Sequence, residues 1–173
     1  ENILTFLKKD ILSKFTNSSL FNIFQNDKRI LLFLFKNQFI KINDYVYNGL
    51  IEKKDFAEYF SPELIFYQTK ESYDHSSFDE IREKGETNNH LCELIRNDSI
   101  KEFIVHINKT NLALNTKIQS TFFETNSFLH EKKDNMTLIE YAVFFGSIQI
   151  VRYLFQNNVD LNPSLWIFAI HSN

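Results

Sequence analysis

Three Gly and two Pro are the only strong turn-formers along 173 residues. An all-β domain needs a turn about every 8–12 residues and draws on Gly and Pro to make them, so this scarcity favours helices. Apolar residues recur at helical spacing. Ile3, Leu4, Leu7, Ile11 and Phe15 share one side of a helix over residues 3–15. TNSSLFNIFQNDK reads as a short helix, RILLFLFKN as a third, and DYVYNGLI as another with Asp44 at its N-cap. Pro62 stands where a helix tolerates Pro, in its first turn. The expected fold class is all-α.

Residues 68–90, QTKESYDHSSFDEIREKGETNNH, form the most polar stretch, with one short helical pattern at Phe78–Glu83. The reading divides the chain into an N-terminal helical region at 1–70, a polar connection at 71–89, and a C-terminal part at 90–173. With 43% hydrophobic residues a sizeable core is within reach and general disorder is excluded. The 19 Phe alongside abundant Ile, Asn and Lys suggest coding bias as much as function.

The C-terminal part repeats itself. Sliding 90–115 onto 137–162, an offset of 137 − 90 = 47, brings Leu91 onto Leu138, Glu93 onto Glu140 and Asn111 onto Asn158. It also brings Phe103, Ile104 and Ile107 onto Ile150, Val151 and Leu154. Two helix–turn–helix copies with matching ends point to one repeated unit. Asn97-Asp98-Ser99 and Gly146 mark the inter-helix turns, and Thr137 can cap the helix that follows it.

TLIEYAVFFGSIQIVRYLFQNNVDLN, residues 137–162, resembles an ankyrin repeat. Thr137, Ala142, Gly146, Ile150, Val151, Leu154, Asp160 and Asn162 fall on positions of that family's pattern. Leu138 stands where the family has Pro, Glu140 where it has His, and Asn158 where Gly ends the second helix. Asn is the next-best residue for a left-handed site, so the last change is mild. FDEIREKGE, LCELIRNDSIKEFI, FFETNSFL and PSLWIFAIHSN extend the likeness to ankyrin-repeat proteins abundant in trichomonad parasites, where a helical region of unknown function precedes the array. The resemblance implies an α-solenoid of degenerate repeats at 90–136, 137–163 and a truncated 164–173, with further repeats beyond Asn173. It also implies a stunted hairpin finger before Ser164 and an insert in place of the finger after Asn115. Phe122, Phe123, Phe128 and Leu129 are expected to pin that insert to the helices.

Chemistry is sparse. His75, His90, His106, His130 and His171 include no pair at helical ligand spacing, and Cys92 has no partner set, so no metal or cofactor is expected. Gly49, Gly85 and Gly146 are isolated and make no phosphate loop. Acid pairs such as Asp79-Glu80 fit a solvated helix face. Net charge is −3 with scattered Lys pairs, a poor footprint for nucleic acid or an anionic membrane. The run Ile30–Phe35 is too short to span a bilayer. Four N-glycosylation patterns, at Asn17, Asn97, Asn108 and Asn135, are expected by chance in an Asn-rich chain. No leader is visible and a single Cys suits a reducing interior, so a cytoplasmic location is expected. Glu1 in place of Met points to a fragment or processed product.

Binding by surface remains, and the expected function is a protein–protein interaction scaffold or adaptor without catalysis. By the resemblance, partners are held at the positions before the inter-helix turn. These are Phe144 and Phe145, matched by Asn97 and Asp98 in the earlier copy and by His171 and Ser172 in the last. An exposed aromatic pair could anchor a partner, unless one Phe packs against a neighbouring helix. The alternatives are a helical regulatory domain of an enzyme whose catalytic part lies outside this chain, or a structural helical domain with no specific partner.

Overall fold

The computed structural model describes residues 10–71, 74–132 and 136–171, and the regular elements among them are helices. They fall into two units, Glu1–Gly85 and Glu86–Asn173. The first carries α1 (residues 10–14), α2 (Asn17–Phe24), α3 (Lys28–Lys36), α4 (Asp44–Ile51), α5 (Lys54–Tyr59), α6 (Ser61–Thr69) and α7 (Ser76–Lys84). The second carries α8 (His90–Arg96), α9 (Ile100–Thr110), α10 (Ser127–Glu131), α11 (Leu138–Phe144), α12 (Ile148–Gln156) and α13 (Leu165–Ile170). The all-α expectation holds. Ile3, Leu4 and Leu7 lie outside the described residues.

Local chemistry sets the helix starts in the first unit. The Thr16 hydroxyl, the Asp27 carboxylate and the Asn43 amide oxygen each accept from a backbone N–H in the first turn of α2, α3 and α4. The cap of α4 is therefore Asn43, one residue before the expected Asp44. Asp44 is inside the helix and accepts instead from the Tyr67 hydroxyl at 2.7 Å. Pro62 is in the first turn of α6, as expected. Leu31, Val46, Leu50, Tyr59 and Phe60 are fully buried at the centre of this unit. Gly49 lets α4 approach α2 closely, because a Cβ there would come within 2.5 Å of the Phe21 ring.

The stretch expected as a polar surface connection carries α7. Gly85 ends that helix in the left-handed conformation, and Arg82 from its last turn is buried. Hydrogen bonds run both ways between Arg82 and Tyr59, from the Tyr59 hydroxyl to the Arg82 carbonyl at 3.2 Å and from Arg82 Nη1 to the Tyr59 carbonyl at 3.3 Å. A sequence window sees only the polarity of this segment; its one buried charge becomes visible through Glu63, 19 residues upstream.

In the second unit α8 packs on α9 and α11 on α12, and the two hairpins meet through α8–α11 and α9–α12, with α13 against α11. The hairpin turns share their backbone. Asp98 and Gly146 are left-handed at φ 48 and 66. Ser99 and Ser147 follow at nearly equal dihedrals, and their N–H groups donate back to the Leu94 and Ala142 carbonyls. Gly146 follows Asp98 by 146 − 98 = 48 residues, so the turns and first helices correspond at 48 and not at the expected 47. The helix ends do correspond at 47, with Asn111 and Asn158 left-handed at φ 51 and 53 in the Gly-like role foreseen for them. The extra residue lies in α9, which has 11 residues against 9 in α12.

The 116–136 segment is pinned at both ends. Lys117 and Thr137 form an isolated antiparallel bridge, and the Ile118 N–H donates to the Met136 carbonyl at 2.7 Å. Between them Leu129 is buried in the unit's core with Phe128 packed against it, and Phe123 is also buried, as the sequence reading expected.

Candidate functional site

The residues expected to meet a partner cluster at the hairpin turns, where most hold the fold together. Asp98 is the clearest case. Its left-handed backbone turns the carboxylate onto the start of α12, where Oδ2 accepts from the Gln149 N–H and Oδ1 from the Ile150 N–H, both at 3.0 Å. A carboxylate on two free N–H groups at the positive end of a helix is a charge-assisted cap supplied by the preceding hairpin. Beside it the buried Ser147 hydroxyl donates to the Ile95 carbonyl at 2.5 Å. Each hairpin thus bonds to the backbone of the other: Asp98 takes up two N–H groups of α12, and Ser147 adds a donor to the Ile95 carbonyl, which already accepts from the Asp98 N–H.

Phe144 is buried, stacked on Phe128 at 5.9 Å, so it is a packing residue and not an exposed anchor. Its burial removes the exposed aromatic pair. Phe145 is half-buried between the Tyr141 ring at 4.7 Å and the Arg96 guanidinium at 6.0 Å. Asn97 is exposed at the corresponding position of the first hairpin. His171 is exposed at the end of α13 and stacks on Phe128 at 4.4 Å. Ser172 lies outside the described residues. By turn geometry Arg96 and Asn97 match Phe144 and Phe145, while Asp98 matches Gly146.

Behind the turns runs a buried polar seam. Arg96 Nη1 donates to the Tyr141 hydroxyl at 2.7 Å and to the Thr87 carbonyl at 3.0 Å, and its Nε pairs with Glu86 at 2.9 Å. The buried Glu124 carboxylate accepts from the Thr87 hydroxyl at 3.1 Å and the Asn126 N–H at 2.9 Å. Burial pushes the Cys92 thiol up to about 11, against a smaller opposing pull from Arg96. Burial likewise pushes the Tyr141 hydroxyl far up. Both groups therefore keep their protons at neutral pH, and for Cys92 that withholds the thiolate, the reactive form. His90 and His106 stack edge-on at 5.2 Å, a proximity that their spacing hides. Among the described residues no group of three or more His, Cys, Asp or Glu is placed to hold a metal ion. None of the described helices is long and apolar enough to cross a membrane.

The first unit contains a groove that sequence reasoning missed. It encloses about 560 Å³ between the 38–42 loop, α6 and the α7 region. Its apolar lining includes Phe35, Ile40, Ile42, Pro62 and Phe66. Arg82 closes one side, with Nη1 on Glu63 at 2.7 Å and Nη2 on Asp79 at 2.6 Å. Pairing with these carboxylates outweighs burial and raises the Arg82 pKa. Its Nε is buried with no hydrogen-bond partner. The one signal available earlier was Asp79 and Arg82 at i, i+3 in an otherwise solvated pattern; Glu63 could not be joined to them by spacing.

No family model, no curated protein and no solved structure matches this chain.

Proposed function

We propose that the second unit is a protein-binding scaffold of stacked helical hairpins, ankyrin-like in design and without catalysis of its own. The observation that carries this reading is the cross-hairpin cap. Asp98 of one turn holds the N-terminus of α12, so two neighbouring turns are fixed at a set spacing. Rigid scaffolds that present side chains from loops at set spacing suit recognition of another protein's surface. Gly146, one of the positions on which the ankyrin resemblance rests, is left-handed in the turn, and Asn111 and Asn158, which depart from the family's Gly, take the left-handed conformation in its place. Asn97 and the outer part of Phe145 are the partner-facing groups on these turns.

Capture from cell extract on immobilised wild-type chain and on an Asn97→Arg/Phe145→Ala variant tests the proposal. Both proteins are first checked for equal helix content by circular dichroism. A protein retained by the wild type and lost by the variant supports it. Identical retention by both chains, or none by either, counts against these turns as the contact surface.

A further inference from the structure

We propose that the groove of the first unit binds a small amphiphilic amine: an apolar, preferably aromatic body carrying one protonated nitrogen. The inference is independent of the scaffold reading of the second unit. A groove of about 560 Å³ is within the range of small-molecule sites, about 300–1,000 Å³, and such sites pair apolar walls with a few convergent polar groups. Phe35, Ile40 and Phe66 supply the apolar wall.

Charge decides which end group fits. Arg82 brings one positive charge and Glu63 and Asp79 two negative ones, leaving an excess of one negative charge at the α7 wall. The guanidinium is 2% exposed, against 22% and 37% for the two carboxylates, so a ligand meets the acids before the cation. Glu63 Oε2 and Asp79 Oδ1 are taken by Arg82, leaving the second oxygen of each as a further acceptor. A protonated amine placed there gains charge-assisted hydrogen bonds to carboxylates whose solvation is already reduced. A carboxylate ligand at the same wall would meet two like charges for one guanidinium. Lys70 does not reverse this balance: its Nζ is folded over the Tyr67 ring at 4.4 Å and donates to the Tyr67 carbonyl at 2.7 Å. Lys41 and Glu71 also line the groove, one charge of each sign, and leave the balance as it stands.

Three probes that share one body and differ in end group test the site: phenylbutylamine, phenylbutanoate and phenylbutanol, titrated into the full chain by calorimetry. The amine is expected to bind about tenfold more tightly than the acid, and severalfold more tightly than the alcohol. Asp79→Asn should lower amine affinity about tenfold while leaving alcohol binding unchanged, which also shows that the groove survives the substitution. Phe66→Ser should weaken all three probes, and Lys41→Met should leave the amine unaffected. Tightest binding by the acid, with loss in Lys41→Met, would overturn the proposal in favour of an anion site. Failure of all three probes at millimolar concentration, or amine binding indifferent to Asp79→Asn, would overturn it outright.

Discussion

The second unit has two joints, one between its hairpins and one between the second hairpin and α13, and they are built from different materials. At the first, the left-handed residue is Asp98, whose carboxylate reaches across to cap α12. At the second, the same backbone position is Gly146, where an added Cβ would meet nothing within 4 Å. With no side chain to reach forward, the second joint relies on packing and on Glu140. That buried carboxylate closes a capping box with Thr137 at the start of α11, and its other oxygen accepts from the Ser164 hydroxyl at 2.9 Å. Phe128 fills the rest, lying against Phe144, Phe168 and His171. Identical turn geometry therefore does not entail identical coupling; what differs is whether the turn residue has a side chain to extend.

The largest effect is expected at the second joint. Phe128→Ser/Leu129→Ser removes the aromatic wedge and a buried core residue together, and should destabilise the second unit by about 5 kcal/mol. Urea unfolding followed by circular dichroism measures it, and an unchanged midpoint would show that the insert contributes nothing to the joint. Next comes the first joint. Asp98→Ala loses a cap and leaves a β-carbon residue in the left-handed region, together about 2–3 kcal/mol. Asp98→Gly keeps the backbone without strain and should cost less, separating reach from conformation.

Gly146 permits the reciprocal experiment. Gly146→Ala should cost about 1 kcal/mol from φ alone, since the space is open, and Gly146→Asp should cost less because Asp tolerates this conformation better. A costlier Asp would mean that the turn at 98 accepts Asp for its cap bonds alone. The last effect appears only at alkaline pH and concerns Cys92, on α8 at the first joint. Its thiol ionises near 9 in the unfolded chain and near 11 in the fold, so the folded state holds its proton more tightly. The associated stability is present below pH 9 and fades as pH rises through 11; Cys92→Ala should flatten that part of the alkaline stability profile. At pH 8 the native thiol should react slowly with a disulfide reagent and rapidly in urea.

What was legible in the sequence was local. Thr137 as a cap, Gly146 as a turn, and Asn111 and Asn158 as left-handed helix ends all depend on neighbours within a few residues, and each is where the reading put it. The contribution of Asp98 was not legible, because its partners Gln149 and Ile150 are some fifty residues away. That one of Phe144 and Phe145 packs inward was foreseen, but not which one: the burial of Phe144 depends on Phe128, brought over by the insert. In the first unit, Arg82, Glu63 and Asp79 acquire meaning only together.

The extra residue in α9 has a consequence for anyone treating the hairpins as modules. Phe103 follows its turn residue by 103 − 98 = 5 positions, whereas Ile150 follows by 150 − 146 = 4. One position is about 100° of rotation around a helix axis. Measured from their turns, α9 and α12 therefore run out of phase: the positions that bury Ile150 and Leu154 in α12 carry Glu102 and His106 in α9. The hairpins cannot be interchanged as blocks without adding or deleting that single residue.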